Sequence, residues 1–182
     1  RRRFETRESG RRVPRVFGPE RTAKARGGIE AGQQWDETTF FKELQQRSEQ
    51  GVTDVALQVL TWAKSRTSVW WGKGKQMGSF VPILYHNGVK HQLFAVWTTG
   101  GVEIYFYWYQ FKAPFDSESM RLELARRLNL IEGVNILPDA IGKRPSIPLA
   151  ALARPGAVEQ FLKVFDWVIE EFEKTKAEII EG

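Results

Sequence analysis

From Val55 to Val102 the chain carries no Asp or Glu, yet Lys64, Arg66, Lys73, Lys75 and Lys90 fall in that interval beside Trp62, Trp70, Trp71 and Trp97. Cations along a phosphate backbone displace its counterions, and indole faces accept any unpaired base, so this mixture suits a nucleic-acid groove. Its densest part is Trp70-Trp71-Gly72-Lys73-Gly74-Lys75-Gln76-Met77-Gly78-Ser79. Two ammoniums, a hydroxyl and glycines that admit close backbone approach suit an anionic ligand, and a hairpin loop kept soluble by lysine is the plainer reading. It is not a Walker A loop, because no Gly-Lys-Ser/Thr opens a helix here. A second candidate is Lys143-Arg144-Pro145-Ser146. Arg144 can fork onto a phosphate or carboxylate, or hold the carbonyls of an irregular segment with few ladder bonds of its own.

Catalytic chemistry finds less support. If Asn87-Gly88 forms a hairpin turn, His86 pairs with Val89 and Leu84 with His91, which sets the two histidines diagonally on one face. The meander offers them no carboxylate before Glu103, so no metal site is expected. Metal-dependent phosphodiester cleavage wants clustered carboxylates, often with a lysine two residues past a strand Glu, and here that position is Tyr105. No Gly-x-Ser-x-Gly elbow occurs and there is no cysteine, which excludes a thiol nucleophile and a disulfide framework. We therefore expect no catalytic residue and no cofactor within these residues.

The 182 residues, 42% hydrophobic and 13% aromatic, suit one globular domain preceded by an arm. Residues 1–34 hold ten basic and four acidic side chains, are broken by glycine and proline, and show no sustained apolar period. They read as a basic flexible arm or linker, a second electrostatic contact for a polyanion. Residues 35–182 read as a single domain whose acidic end, 159–182, opposes the basic interval, a dipole able to steer a polyanion, with the solvated face of an acidic terminal helix as the plainer reading. The lack of cysteine fits a reducing cytoplasm, and no apolar run approaches a membrane span. The chain opens on Arg1 rather than Met, which reads as part of a longer polypeptide or a processed chain.

The elements that must position these groups follow from periodicity. Asp36 can cap a helix with Phe40, Phe41 and Leu44 on one face, and Val52, Val55, Ala56, Val59, Leu60 and Ala63 recur at helical spacing after Gly51. The period then becomes two, with strands expected over 68–71, 80–86, 90–97 and 102–111. Asn87-Gly88 calls for a type I′ turn, and Thr99-Gly100-Gly101 supplies the next reversal. In the last strand Val102, Ile104, Phe106 and Trp108 should face the core, with Glu103, Tyr105, Tyr107 and Tyr109 opposite, as a stacking row or the underside of a helix layer. A helix follows Asp116-Ser117, closed by Gly133, then an irregular segment to Leu152 that Ile147, Leu149 and Leu152 tuck onto the core. Val158 to Phe172 completes a long amphipathic helix. The expected fold is α+β, a meander of about four antiparallel strands with helices on one face, in the order ααββββαα.

The strings Trp70-Trp71-Gly72-Lys73-Gly74, Gly78-Ser79-Phe80-Val81-Pro82 and Arg144-Pro145-Ser146-Ile147-Pro148-Leu149, with the apolar strands between them, resemble an uncharacterised bacterial accessory module found with restriction-type nuclease proteins. The resemblance covers about 35–172 and carries no assigned chemistry. It implies a non-catalytic domain beside a DNA-acting part, with a catalytic domain upstream in the same polypeptide. The reading is thus a nucleic-acid-binding accessory domain, its DNA or RNA held by Arg66, Trp70, Trp71, Lys73, Lys75, Lys90 and Arg144. Its rivals are a protein-interaction module using exposed aromatics, and an enzyme domain binding phosphate ligands at the Gly-Lys loop.

Overall fold

In the computed structural model, which describes residues 32–176, two helices precede the sheet: α1, Glu37–Arg47, and α2, Gln50–Arg66. The α1 helix starts where Asp36 accepts a hydrogen bond from the Thr39 amide at 2.8 Å while Thr39 Oγ1 accepts from the Asp36 amide at 3.0 Å, a reciprocal cap. Phe40 and Leu44 from α1, with Val55, Ala56, Val59 and Leu60 from α2, form the apolar stripe these helices bury. The expected arm, 1–34, and the acidic tail beyond Lys176 lie outside the described residues except for Gly32–Gln34.

Six strands follow: β1 Ser68–Trp71, β2 Ser79–His86, β3 Val89–Gln92, β4 Phe94–Trp97, β5 Gly101–Ile104 and, well downstream, β6 Ser146–Pro148. They make one antiparallel sheet in the order β1-β2-β4-β5-β6, with β3 on β2. Asn87 and Gly88 both take positive φ, at 50° and 73°, and pair His86 with Val89 and Leu84 with His91, as the turn residues require. The expected single strand over 90–97 is broken at Leu93. Between the Phe80–Val96 and Ile83–Gln92 pairs, β2 spends two residues and its partner three, which is a β-bulge. Pro82, which has no N–H to give the ladder, sits in this interval and accepts from the Leu93 amide at 3.0 Å.

The tyrosine row expected over 102–111 does not form. The chain leaves the sheet after Ile104 and winds into a short helix, α3, Phe106–Tyr109. Phe106 and Tyr109 turn into the core, whereas Tyr107 and Trp108 stay exposed, so Trp108 is not the core residue that alternation assigned. The Tyr109 hydroxyl donates to the bulge carbonyl of Leu93 at 2.6 Å, and Lys112 Nζ donates to the carbonyl of Lys90. The segment beginning with α3 thus satisfies backbone acceptors of the bulged strand where β5 stops short.

Beyond it lie α4, Glu118–Asn129, a 3₁₀ turn at Pro138–Ala140, β6, the short α5, Leu149–Leu152, and α6, Ala157–Glu173. The segment expected to be irregular therefore contributes an edge strand, held on Gly101–Glu103. Ile147, Leu149 and Leu152 are buried, as their pattern required. The main core lies between one face of the sheet and all six described α-helices. Its centre is aromatic: Phe94 meets Phe161 and Phe165 edge to face at 5.2 and 4.6 Å and stacks with Trp62 at 6.1 Å. Each such side chain contributes about 1.5–3 kcal/mol by burial. The fold is α+β with helices on one sheet face, as expected, and the strand count rises from four to six.

Candidate functional site

The register sorts the sequence candidates onto two faces. Trp71 pairs with Phe80 and points toward the helices, where it packs on Phe40 and Phe80 at 5.8 and 5.5 Å. Trp70 pairs with Val81 and points the other way, 46% exposed. Trp71 is therefore half-buried against the core, and Trp70 presents its ring on the face that the described helices leave uncovered.

On Trp70's side the register places Val81, Ile83 and Tyr85 of β2, Lys90 and Gln92 of β3, Ala95 and Trp97 of β4 and Glu103 of β5. Val81, Ile83, Ala95 and Tyr105 make a small apolar cluster of their own, with Trp97 against it and no residue of a described helix in it. Trp70 and Trp97 flank the same stretch of β2 from its two sides. Tyr85, 59% exposed, stands about 13 Å further along β2 than Val81 and directly opposite Lys90. Beside Tyr85 a shallow cleft of about 290 Å³ is lined by Lys64, Arg66, Ser68 and Ile83. Arg66 is held at 3.3 Å by Asp166, which also accepts from Trp62 Nε1 at 2.9 Å, and Lys64 pairs with Glu37. Lys90 is exposed. The structure thus groups Arg66, Trp70 and Lys90 with Tyr85 and Trp97. Tyr85 escaped the sequence reading because an isolated strand tyrosine carries no signal until its face is known.

Lys73 and Lys75 lie in the β1–β2 loop at the other end of β1, exposed. The loop's glycines answer to packing. A Cβ on Gly78 would stand 2.5 Å from the Trp35 ring, one on Gly74 2.1 Å from the Met77 carbonyl oxygen, and one on Gly72 2.5 Å from Ser79 Oγ. Trp35 closes the loop, its Nε1 donating to the Gly74 carbonyl at 2.9 Å and its amide to Gly72 at 3.1 Å. The close approach that glycine permits is used by Trp35 and by the loop itself.

Arg144 stands at the far edge of the sheet, four strand spacings or about 19 Å from β1, and faces Glu103 at 3.9 Å. Burial, assisted by Glu103 and opposed by Arg144, pushes the Tyr105 hydroxyl up to about 12, so it stays a neutral donor. The two histidines lie on the helix side, as their diagonal register implies. Among the described residues no group of three His, Cys, Asp or Glu side chains could hold a metal ion, and no helix is long and apolar enough to cross a membrane. No protein-family model, no curated protein and no solved structure matches the chain.

Proposed function

We propose that the chain is a nucleic-acid-binding accessory domain of a larger DNA-acting protein, and that it takes a single strand on the sheet face carrying Trp70. The observation that carries this reading is the grouping of exposed Trp70 and Tyr85 with Lys90 on one sheet face, Arg66 and Lys64 along its edge. Ring faces stack only on bases not already stacked in a duplex, so such a surface favours unpaired strands, while the cations take the phosphates. The exposed ring at position 70, the half-buried one at 97 and the ring at 85 are spaced across neighbouring strands, as successive bases of an extended strand need. The motif resemblance to accessory modules of restriction-type proteins supports the DNA-acting context.

Tryptophan emission during titration with a single-stranded oligonucleotide and with its duplex, at several salt concentrations, tests this. Stacking on Trp70 quenches emission, single strands compete out the duplex, and Trp70→Ala abolishes most of the quench. Equal affinity for the duplex, or a quench that survives Trp70→Ala, would move recognition away from this face.

A second reading draws on Tyr107, Trp108 and Phe111, which pack on one another at 5.0 and 5.7 Å yet remain exposed, Phe111 by 65%. Such a cluster suits an aromatic anchor for a protein partner, whose binding would be insensitive to salt.

A further inference from the structure

On the helix side of the β2–β3 hairpin, a cleft of about 330 Å³ opens between the hairpin, the turn after α3 and the chain just past α6. Its polar lining is His86, Asn87, His91, Lys112, Thr175 and Lys176, and no carboxylate is among the described residues that line it. Val89 and Phe111 supply apolar walls.

Part of this lining has a structural purpose. The carbonyl of Thr175, past the end of α6, accepts from His86 Nε2 at 3.2 Å and from the side-chain Nδ2 of Asn87 at 3.1 Å, which ties the hairpin tip to the helix end. Nothing comparable meets His91. Its ring is 5% exposed and lies on Phe172 at 4.0 Å between centroids, and its Nδ1 has no hydrogen-bond partner. A buried ring nitrogen without a partner forfeits a hydrogen bond that a bound group or water would restore. Burial, then Lys112, then His86 bring the His91 imidazole down to about 4, and Lys112 is itself lowered by burial and by Lys90. The ammoniums of Lys112, which also donates to the carbonyl of Lys90, and of Lys176 stand at a partly desolvated space whose described lining holds no negative side chain.

We propose that this cleft binds a phosphate monoester, with the Lys112 and Lys176 ammoniums on its oxygens, His91 as a further donor and the organic part against Val89 and Phe111. A tetrahedral dianion answers cations arriving from different elements, and the cleft is larger than inorganic phosphate alone would fill. The site lies on the opposite side of the sheet from Trp70 and does not depend on the reading of that face.

The chain has two histidines, so their ring resonances resolve in a proton–nitrogen correlation spectrum, and His86→Gln assigns them. The full chain is titrated with inorganic phosphate and with phenyl phosphate, chloride holding ionic strength constant. We expect a saturable shift of the His91 ring, a rise of its titration from about 4 as the negative charge of the bound phosphate favours the imidazolium, and saturation by phenyl phosphate at about tenfold lower concentration than by phosphate. Lys112→Met and Lys176→Met should each weaken the response by about tenfold, and Lys176, an exposed residue past the last described helix, carries the test if Lys112→Met fails to fold. An oligonucleotide with a 5′-phosphate that shifts His91, where its 5′-hydroxyl twin does not, identifies a strand end as the source of the ester. A His91 ring that moves with neither phosphate, or equally with chloride, overturns the site. Phenyl phosphate binding no tighter than phosphate overturns the monoester.

Discussion

Trp70 and Trp71 are adjacent in sequence and opposite in fate, because successive strand residues point to opposite faces and helices cover only one of them. Trp71→Ala should therefore cost about 3 kcal/mol in urea unfolding, since it empties space against Phe40 and Phe80. Trp70→Ala should stay within about 1 kcal/mol of the parent while removing the binding signal. Reversed outcomes would mean that the assigned register is wrong. His91 makes a different prediction. Its imidazole sits at about 4 in the folded chain against 6.5 when unfolded, so between those values the unfolded chain binds more protons. Stability from its neutral ring is complete above pH 6.5 and is lost as pH falls toward 4, by up to about 3 kcal/mol. Unfolding measured at pH 7, 5.5 and 4.5 should show that slope in the parent and a flatter one in His91→Gln. Phosphate monoester in the cleft should flatten it as well.

At the scale of elements, the bulge and α3 are one device. The extra residue at Leu93 turns both Leu93 and Phe94 into the core and leaves a carbonyl that Tyr109 reaches. Tyr109→Phe keeps the ring in place and orphans that carbonyl in a buried setting, which should lower stability by about 1–3 kcal/mol with little change in near-ultraviolet ellipticity. A loss under 0.5 kcal/mol would mean that water replaces the hydroxyl. The run Tyr105-Phe106-Tyr107-Trp108-Tyr109 also shows why alternation misled. With aromatic rings at every position, it satisfies a period of two and a helical turn equally well. The decision comes from 143–145, whose carbonyls at Lys143 and Pro145 accept from Tyr107 and Ile104 at 2.8 and 2.9 Å. That segment is distant in sequence, so no local pattern announces it.

At the scale of the whole chain, charge is segregated along the sequence. Asp166 and Glu37 hold Arg66 and Lys64 at the sheet edge, so these two helix carboxylates are spent on neighbouring cations. Residues 1–31 hold ten basic and four acidic side chains, and a chain beginning at Gly32 should keep the quench at Trp70 while losing part of the slope of log affinity against log salt. Loss of the quench as well would assign recognition to the first 31 residues. The amphipathic helices, the Asn87-Gly88 hairpin and its register, and the α+β class were legible in the sequence because each rests on contacts within a few residues of one another. So was the basic, aromatic chemistry of the interval from Val55 to Val102. Tertiary structure alone decided that Trp71 is spent on the core, that Trp35 fills the loop's glycines, that Arg144 stands apart from the other cations, and that β6 joins the sheet. Those outcomes depend on which segments distant in the chain come to lie side by side, and periodicity records only the face a residue shares with its near neighbours.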